Sequence, residues 1–372
     1  MRRASVAAAV VVVVLGTSAL GATLFASHSG SNVTRSLVYE KAGSGTIWRA
    51  NVDGSHPVRL ASGTNPRISP DGRFVAFFRN VKNQNVRSHG PGFSNEREEP
   101  SGLTHHGSGV SNWPRYGAIP PYAFVYVIPT RGGRAKKIAR IRANPNLVWA
   151  PDSRRLAIGS ETALNVIDSR SGSRTRVARR GGAFESHGLS YSPSFSPDSR
   201  SLVYKLSDLG VDDLYVTDLK SGDKRRITRL GDADNPVWGP SGIAFSHKRG
   251  IWSIGGDGRQ LRRLARRQLA DMSAAPLQWS ADGERLLLSI AGFRPDWRFR
   301  VIDVAVGQVR LSGAGSPLGI SRDGKTVLID ICLGPLSSLG SLSSPGGVMT
   351  ASLNGGKPRT IVKDACLASW NS

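Results

Sequence analysis

Acidic residues are scarce in this 372-residue chain: 27 Asp and Glu stand against 50 Lys and Arg, for a formal net charge of +23. A surface that basic brings a polyanion-rich neighbourhood into consideration. Reactive signatures are also missing. No G-x-S-x-G sequence occurs, which excludes a nucleophile elbow, and no H-E-x-x-H helix occurs, which excludes the commonest zinc-hydrolase arrangement. Cysteine is limited to Cys332 and Cys366. Two cysteines permit one disulfide in an oxidising compartment or two small buried thiols, and their number alone does not choose. Gly (43) and Pro (21) are plentiful, as suits a globular protein of short strands and many turns.

One long apolar run exists, Ala4–Ala26, broken only by Ser, Thr and Gly and preceded by Arg2 and Arg3. A short positive region followed by such a run reads as a targeting segment. Small residues near its end (Ala19, Gly21, Ala22, Ala26) offer cleavage sites, and about 20 apolar residues also suffice to span a bilayer. Residues 1–30 are therefore expected to be a signal peptide or an N-terminal membrane anchor. Either outcome leaves the rest of the chain extracytoplasmic: periplasmic, cell-surface or secreted. No Cys lies near the segment, which argues against a lipid-modified N-terminus.

Internal repetition dominates the rest of the chain. A turn signature recurs as Ser69-Pro70-Asp71-Gly72-Arg73, Ala150-Pro151-Asp152-Ser153-Arg154 and Ser196-Pro197-Asp198-Ser199-Arg200. Weaker copies are Gly239-Pro240-Ser241-Gly242, Ser280-Ala281-Asp282-Gly283-Glu284 and Ser321-Arg322-Asp323-Gly324-Lys325. From Asp152 onward the spacing is about 41 to 46 residues, the length of a four-stranded propeller blade. An apolar stretch precedes each copy, often ending in an aromatic (Trp149, Phe195, Trp238, Trp279), and an alternating β-branched and aromatic strand comes after it. The last strand of each unit is studded with Arg and Lys. Leu367–Trp370 reads as an innermost strand whose three partners, Leu37–Lys41, Thr46–Val52 and Pro57–Ala61, come from the other end of the chain. The expected fold is thus all-β: a seven-bladed β-propeller of four-stranded antiparallel blades over residues 36–372. Its N- and C-terminal strands interlock to close the ring. Six blades would result if the fourth copy were not a separate unit.

These turns resemble the TolB-like (WD40-like) β-propeller repeat, whose hallmark is an aromatic-Ser-Pro-Asp-Gly turn between the first two strands of each blade. The resemblance covers roughly residues 36–372. It implies a fold more than a function, because such repeats recur in translocation proteins, peptidase propellers and lyases. The protein named for the repeat also carries an N-terminal α/β domain, for which the residues before Ser36 leave no counterpart.

Several motifs are better explained by the repeat than by chemistry. Gly319–Thr326 satisfies the phosphate-loop pattern G-x-x-x-x-G-K-[ST] in full. That loop requires a following helix, whereas Val327–Ile331 reads as a strand, so a hairpin is expected. The recurring Asp is a turn residue whose carboxylate caps nearby amides. The basic clusters fall on fourth, outermost strands, where Lys and Arg block edge-to-edge pairing; read functionally, they form a rim for an anionic polymer. Specific nucleic-acid readout is not expected, since these strands lack interleaved aromatics for stacking.

The irregular segment at about 80–121 separates the second and third strands of one blade and carries His105, His106 and Trp113. Loops of this length are usually functional or disordered. By strand direction it emerges on the same face as the inter-blade loops bearing Glu185, His187, Asp212, Asp232 and Asp234. These eight residues are the candidate face for a ligand or partner, although the His spacing matches no standard metal-ligand pattern. Cys332 and Cys366 fall on the same face in neighbouring blades, so they are expected to pair, and the disulfide would be worth roughly 3–4 kcal/mol in the chain-entropy model. The expectation is an exported binding scaffold for a protein or cell-envelope component, with no catalytic residue, metal or cofactor assigned. A metal-dependent lyase or hydrolase acting on a polysaccharide is the alternative, and an electrostatic rim binder of anionic envelope polymers is another.

Overall fold

The computed structural model describes residues 35–80, 122–142, 146–160, 163–179, 192–208, 210–265, 273–291, 298–331 and 346–371. The targeting segment lies outside the described residues, as do His105, His106, Trp113, Glu185, His187 and Cys332. No helix occurs among the described residues.

Strands β1 (Ser36–Lys41), β2 (Thr46–Asn51) and β3 (Val58–Ser62) open the chain. Blade 1 comes next as β4 (Thr64–Ile68), β5 (Phe74–Asn80), β6 (Tyr122–Pro129) and β7 (Lys136–Arg142). Blade 2 is β8 (Asn146–Trp149), β9 (Arg155–Gly159), β10 (Ala163–Asp168) and β11 (Arg174–Arg179). Blade 3 is β12 (Ser194–Phe195), β13 (Ser201–Asp208), β14 (Val211–Asp218) and β15 (Lys224–Arg226). Blade 4 is β16 (Asp234–Gly239), β17 (Gly242–His247), β18 (Gly250–Ile254) and β19 (Arg262–Arg263). Blade 5 is β20 (Ser273–Trp279), β21 (Arg285–Ala291), β22 (Arg298–Asp303) and β23 (Gln308–Ala314). Blade 6 is β24 (Ser316–Ile320), β25 (Thr326–Asp330), β26 (Gly347–Ser352) and β27 (Arg359–Lys363). The last strand, β28 (Ala365–Trp370), pairs antiparallel with β1, giving blade 7 the order β28-β1-β2-β3. The fold is a seven-bladed β-propeller. The weak fourth copy makes a blade of its own, so the six-blade alternative is excluded.

The turn signature explains why blades 1 to 6 each start with a tight hairpin. In blade 1 the Ser69 hydroxyl donates to Asp71 Oδ1 (2.6 Å) and accepts the Phe74 N–H (3.0 Å), while Asp71 Oδ1 also accepts the Arg73 N–H (3.0 Å). Gly72, at φ 71°, occupies the left-handed region that such a turn demands. Ser153 and Ser199 hold the same position at φ 58° and 62°, a conformation that is uncommon for residues with a side chain. Their hydroxyls compensate by accepting the N–H of Asp71 and Asp152 in the preceding blade, at 3.0 Å each. The phosphate-loop match is one more such hairpin: Lys325 N–H donates to Asp323 Oδ1 and Thr326 N–H to Ser321 Oγ, so those amides are taken.

Seven apolar clusters hold the ring, one between each pair of consecutive blades. A second strand contributes to the clusters on both of its sides, so it cannot alternate apolar and polar residues. Val75–Phe78 and Leu286–Leu288 are accordingly buried at every position. Outermost strands do the opposite. Most side chains of β11 and all of β15 are exposed. The Arg- and Lys-rich segments thus lie on outer edges, as the repeat register requires.

Candidate functional site

Strand direction divides the propeller into two ends. The first-to-second and third-to-fourth strand turns gather at one end. The second-to-third connections and the inter-blade connections gather at the other, the loop end. The 81–121 connection leaves β5 and enters β6 at the loop end.

Three of the eight face residues are described, and they come together there. Asp212 and Asp232 sit on adjoining segments joined by a parallel bridge, with Asp212 N–H donating to Gly231 O (2.9 Å) and Ala233 N–H to Asp212 O (3.0 Å). Lys205, near the end of β13, reaches Asp212 Oδ2 at 3.5 Å and Asp234 Oδ1 at 3.1 Å. Asp232 is held by the Nδ1 of His247, at the end of β17, and accepts the Lys248 N–H (3.0 Å). His247 is buried, and its ring packs edge-on against Trp252 at 5.4 Å between centroids. Its backbone carbonyl accepts the Trp252 indole N–H (3.1 Å). Neighbouring Asp213 is 1% exposed and meets Arg226 Nη2, Thr228 Oγ1 (2.6 Å) and Leu230 N–H (2.8 Å). Burial alone would raise the Asp213 carboxyl, but these three donors hold it below the ordinary carboxylate range.

The acidic cluster is therefore an internally compensated network, in which Asp212 and Asp234 share Lys205, Asp213 has Arg226 and Asp232 has His247. Among the described residues no group of three or more His, Cys, Asp or Glu side chains is arranged to hold a metal ion. Lys205 and His247 were not singled out in the sequence, although a signal existed. Each lies at or near the end of a second strand, the position that the repeat register directs to the loop end.

A second acidic region lies where blades 6, 7 and 1 meet. Glu40 in β1 accepts the Asn65 N–H (3.1 Å), and Asp330 at the end of β25 accepts the Leu367 N–H (3.0 Å). Burial, helped by the charge of Asp330 and opposed by the Asn65 N–H, pushes the Glu40 carboxyl up to about 7. Cys366 stands opposite Glu40 in the β28–β1 register. No free cysteine occurs among the described residues, and Cys332 lies outside them.

The basic outer strands form two shallow recesses. One, of about 360 Å³, is lined by Ala163, Arg174, Arg176 and Arg179. The other, of about 480 Å³, is lined by Tyr126, Arg134, Ala135, Lys136 and Lys137. No ion pair involves these Arg and Lys side chains among the described residues; Arg174 instead donates to Asn165 Oδ1 (2.8 Å).

No family model and no curated protein matches the chain. Solved structures do match. An oligogalacturonate lyase from Vibrio parahaemolyticus is 11% identical, with 89% of this chain and 85% of that chain covered at a TM-score of 0.54. An oligogalacturonate lyase in complex with manganese is 15% identical, with 88% and 83% covered at a TM-score of 0.52. TolB from Acinetobacter baumannii is 20% identical at a TM-score of 0.48; the match covers 67% of this chain and spans 62% of the TolB chain. At these identities the likeness is one of fold. The class is a seven-bladed propeller of four-stranded blades.

Proposed function

We propose that this protein is an exported binding scaffold for a protein or cell-envelope component, with residues 1–30 as its targeting segment and the loop end as its contact face. The observation that carries the reading is the paired state of the Lys205–Asp212–Asp234, His247–Asp232 and Arg226–Asp213 groups. A carboxylate or histidine poised for catalysis has an atom left for substrate, with a pKa matched to proton transfer. Here the ordered groups satisfy one another and stiffen a platform from which the 81–121 connection departs. Preorganised platforms of this kind favour binding, because less freedom is lost on association. The test compares the intact chain with a variant in which residues 83–119 are replaced by a short Gly-Ser linker. Complexes captured from an envelope fraction are run on size-exclusion columns. One discrete complex that the shortened variant fails to form supports the reading; a complex that survives shortening, or none, removes it. Metal analysis of the same preparation addresses the polysaccharide lyase or hydrolase alternative, for which about one bound ion per chain is the requirement.

A second reading has its own observation. The recesses on β7 and β11 present cations without carboxylate partners on adjacent blades, which suits an anionic envelope polymer. Binding there falls steeply with salt, since exposed charges are screened beyond roughly 10 Å at 0.1 M.

A further inference from the structure

The seven innermost strands circle the propeller axis, and each contributes one residue two places before its turn. In chain order these are Arg67, Val148, Ser194, Val237, Gln278, Gly319 and Ser369. Three of them clasp the next blade through a side-chain oxygen. Ser194 Oγ accepts the Trp238 N–H (2.9 Å), Gln278 Oε1 accepts the Ile320 N–H (3.1 Å), and Ser369 Oγ accepts the Ile68 N–H (3.3 Å). Val148, Val237 and Gly319 offer no polar atom. At Gly319 a side chain would meet Gln278 Oε1 at 3.0 Å and Trp370 Nε1 at 3.3 Å, so the neighbours already fill its space.

Arg67 breaks this ring. It is its one charged member, and a guanidinium has no acceptor with which to clasp the next blade. Its carbonyl accepts the Trp149 indole N–H (2.9 Å), which fixes the strand but leaves the side chain uncommitted. Among the described residues no carboxylate lies within ion-pair distance of it, and its guanidinium makes no hydrogen bond. The side chain is only partly exposed, and burial holds its pKa below that of a free guanidinium. A charge taken partly out of water without a partner is costly. Polar groups without partners also concentrate on these strands. Of the five buried side-chain polar atoms lacking a hydrogen-bond partner among the described residues, four lie there: Thr64 Oγ1, Asn65 Oδ1, Asn235 Nδ2 and Trp370 Nε1. Thr64 and Asn65 share β4 with Arg67. Buried unsatisfied groups are few in natural proteins and call for a reason.

We propose that the axial side of β4 is an oxyanion site, where the Arg67 guanidinium receives the carboxylate or phosphate group of a small ligand entering along the propeller axis. Guanidinium is suited to this role because its planar fork matches both groups with paired N–H donors. Arg67 lies two residues before the turn of β4, away from the Lys205 and His247 network and from the basic recesses, and the site stands or falls independently of either.

The test is calorimetric titration of the full chain with inorganic phosphate and, in parallel, with malonate; the two arms separate a phosphate from a carboxylate ligand. One saturable site per chain for at least one anion is expected. Arg67→Met should weaken it tenfold or more and Arg67→Lys by less, while Arg174→Ala/Arg176→Ala/Arg179→Ala together leave it unchanged. In anion-free buffer Arg67→Met should melt at a higher temperature than the parent, because it removes a charge without a partner. Should Arg67→Met fail to fold, Arg67→Gln carries the same comparison. Absence of saturable binding in both arms overturns the proposal. So does binding that survives the loss of Arg67, or binding that disappears in the triple variant instead.

Discussion

The two ends of this propeller use the same residue, aspartate, in opposite ways. At the turn end, Asp71, Asp198, Asp282 and Asp323 each accept a Ser hydroxyl and a backbone N–H from within two residues. At the loop end, Asp213 is satisfied by groups 13 to 17 residues away, and Asp330 accepts from Leu367, 37 residues on. Local satisfaction repeats from blade to blade because it depends only on a five-residue sequence. Distant satisfaction depends on residues particular to one blade or one junction between blades, and there the molecule acquires its individual character.

The sharpest way to break the contrast is Asp213→Ala. Removing this buried acceptor strands Thr228, the Leu230 N–H and one side of Arg226, and should cost roughly 3–5 kcal/mol in urea unfolding. The proposed Cys332–Cys366 disulfide is a second long-range tie at that end. Cys366→Ser should lower stability by roughly 3–4 kcal/mol under oxidising conditions. Thiol counting under denaturing conditions without reductant should find no free cysteine in the parent. A parent with two free thiols sinks the pairing.

Glu40 gives a pH-dependent version of the comparison. Its carboxyl titrates near 7 in the folded chain, above its ordinary value of 4.5. The protonated form is therefore the one the fold prefers. The stability tied to this group is fully present below pH 4.5 and is lost as pH rises through about 7. Glu40→Gln should stabilise the protein at pH 8 by roughly 2 kcal/mol after allowance for partial solvent access, and by almost nothing at about pH 4. A gain of equal size at both pH values contradicts the assignment. The smallest effect belongs to the turn end. Asp198→Ala loses two local hydrogen bonds and should cost about 1 kcal/mol by the same unfolding measurement.

This contrast also explains what could be read in the sequence. Blade number, the hairpin nature of Gly319–Thr326 and the outward placement of the basic strands derive from the register of a short recurring turn, while the interlocked closure follows from the lone strand Leu367–Trp370 and its three partners at the other end of the chain. The gathering of Asp212, Asp232 and Asp234 at one end came from strand direction. Their partners did not. His247 and Lys205 stand in strands that carry no motif of their own; Lys205 reaches Asp212 within blade 3 and Asp234 on blade 4, and His247 reaches Asp232 on the segment leading into its own blade. Arg67 was hidden for a related reason. Its oddity exists only relative to the six equivalent positions on other blades, and those become equivalent once the innermost strands are superposed in register. Continuous burial of the second strands fits their run of β-branched and aromatic residues, because a strand between two inter-blade cores has no solvent face.

The closing blade has a mechanical consequence. Leu37 pairs with Trp370, while Asn371 Oδ1 accepts the Ser36 N–H at 2.7 Å. The start of β1 and the finish of β28 therefore lie side by side at the same end of an antiparallel pair. Tension applied to Ser36 and Asn371 loads these hydrogen bonds one after another, in the manner of a zipper, instead of shearing them together. A ring held by seven inter-blade cores can thus be peeled open by a pull on its two ends.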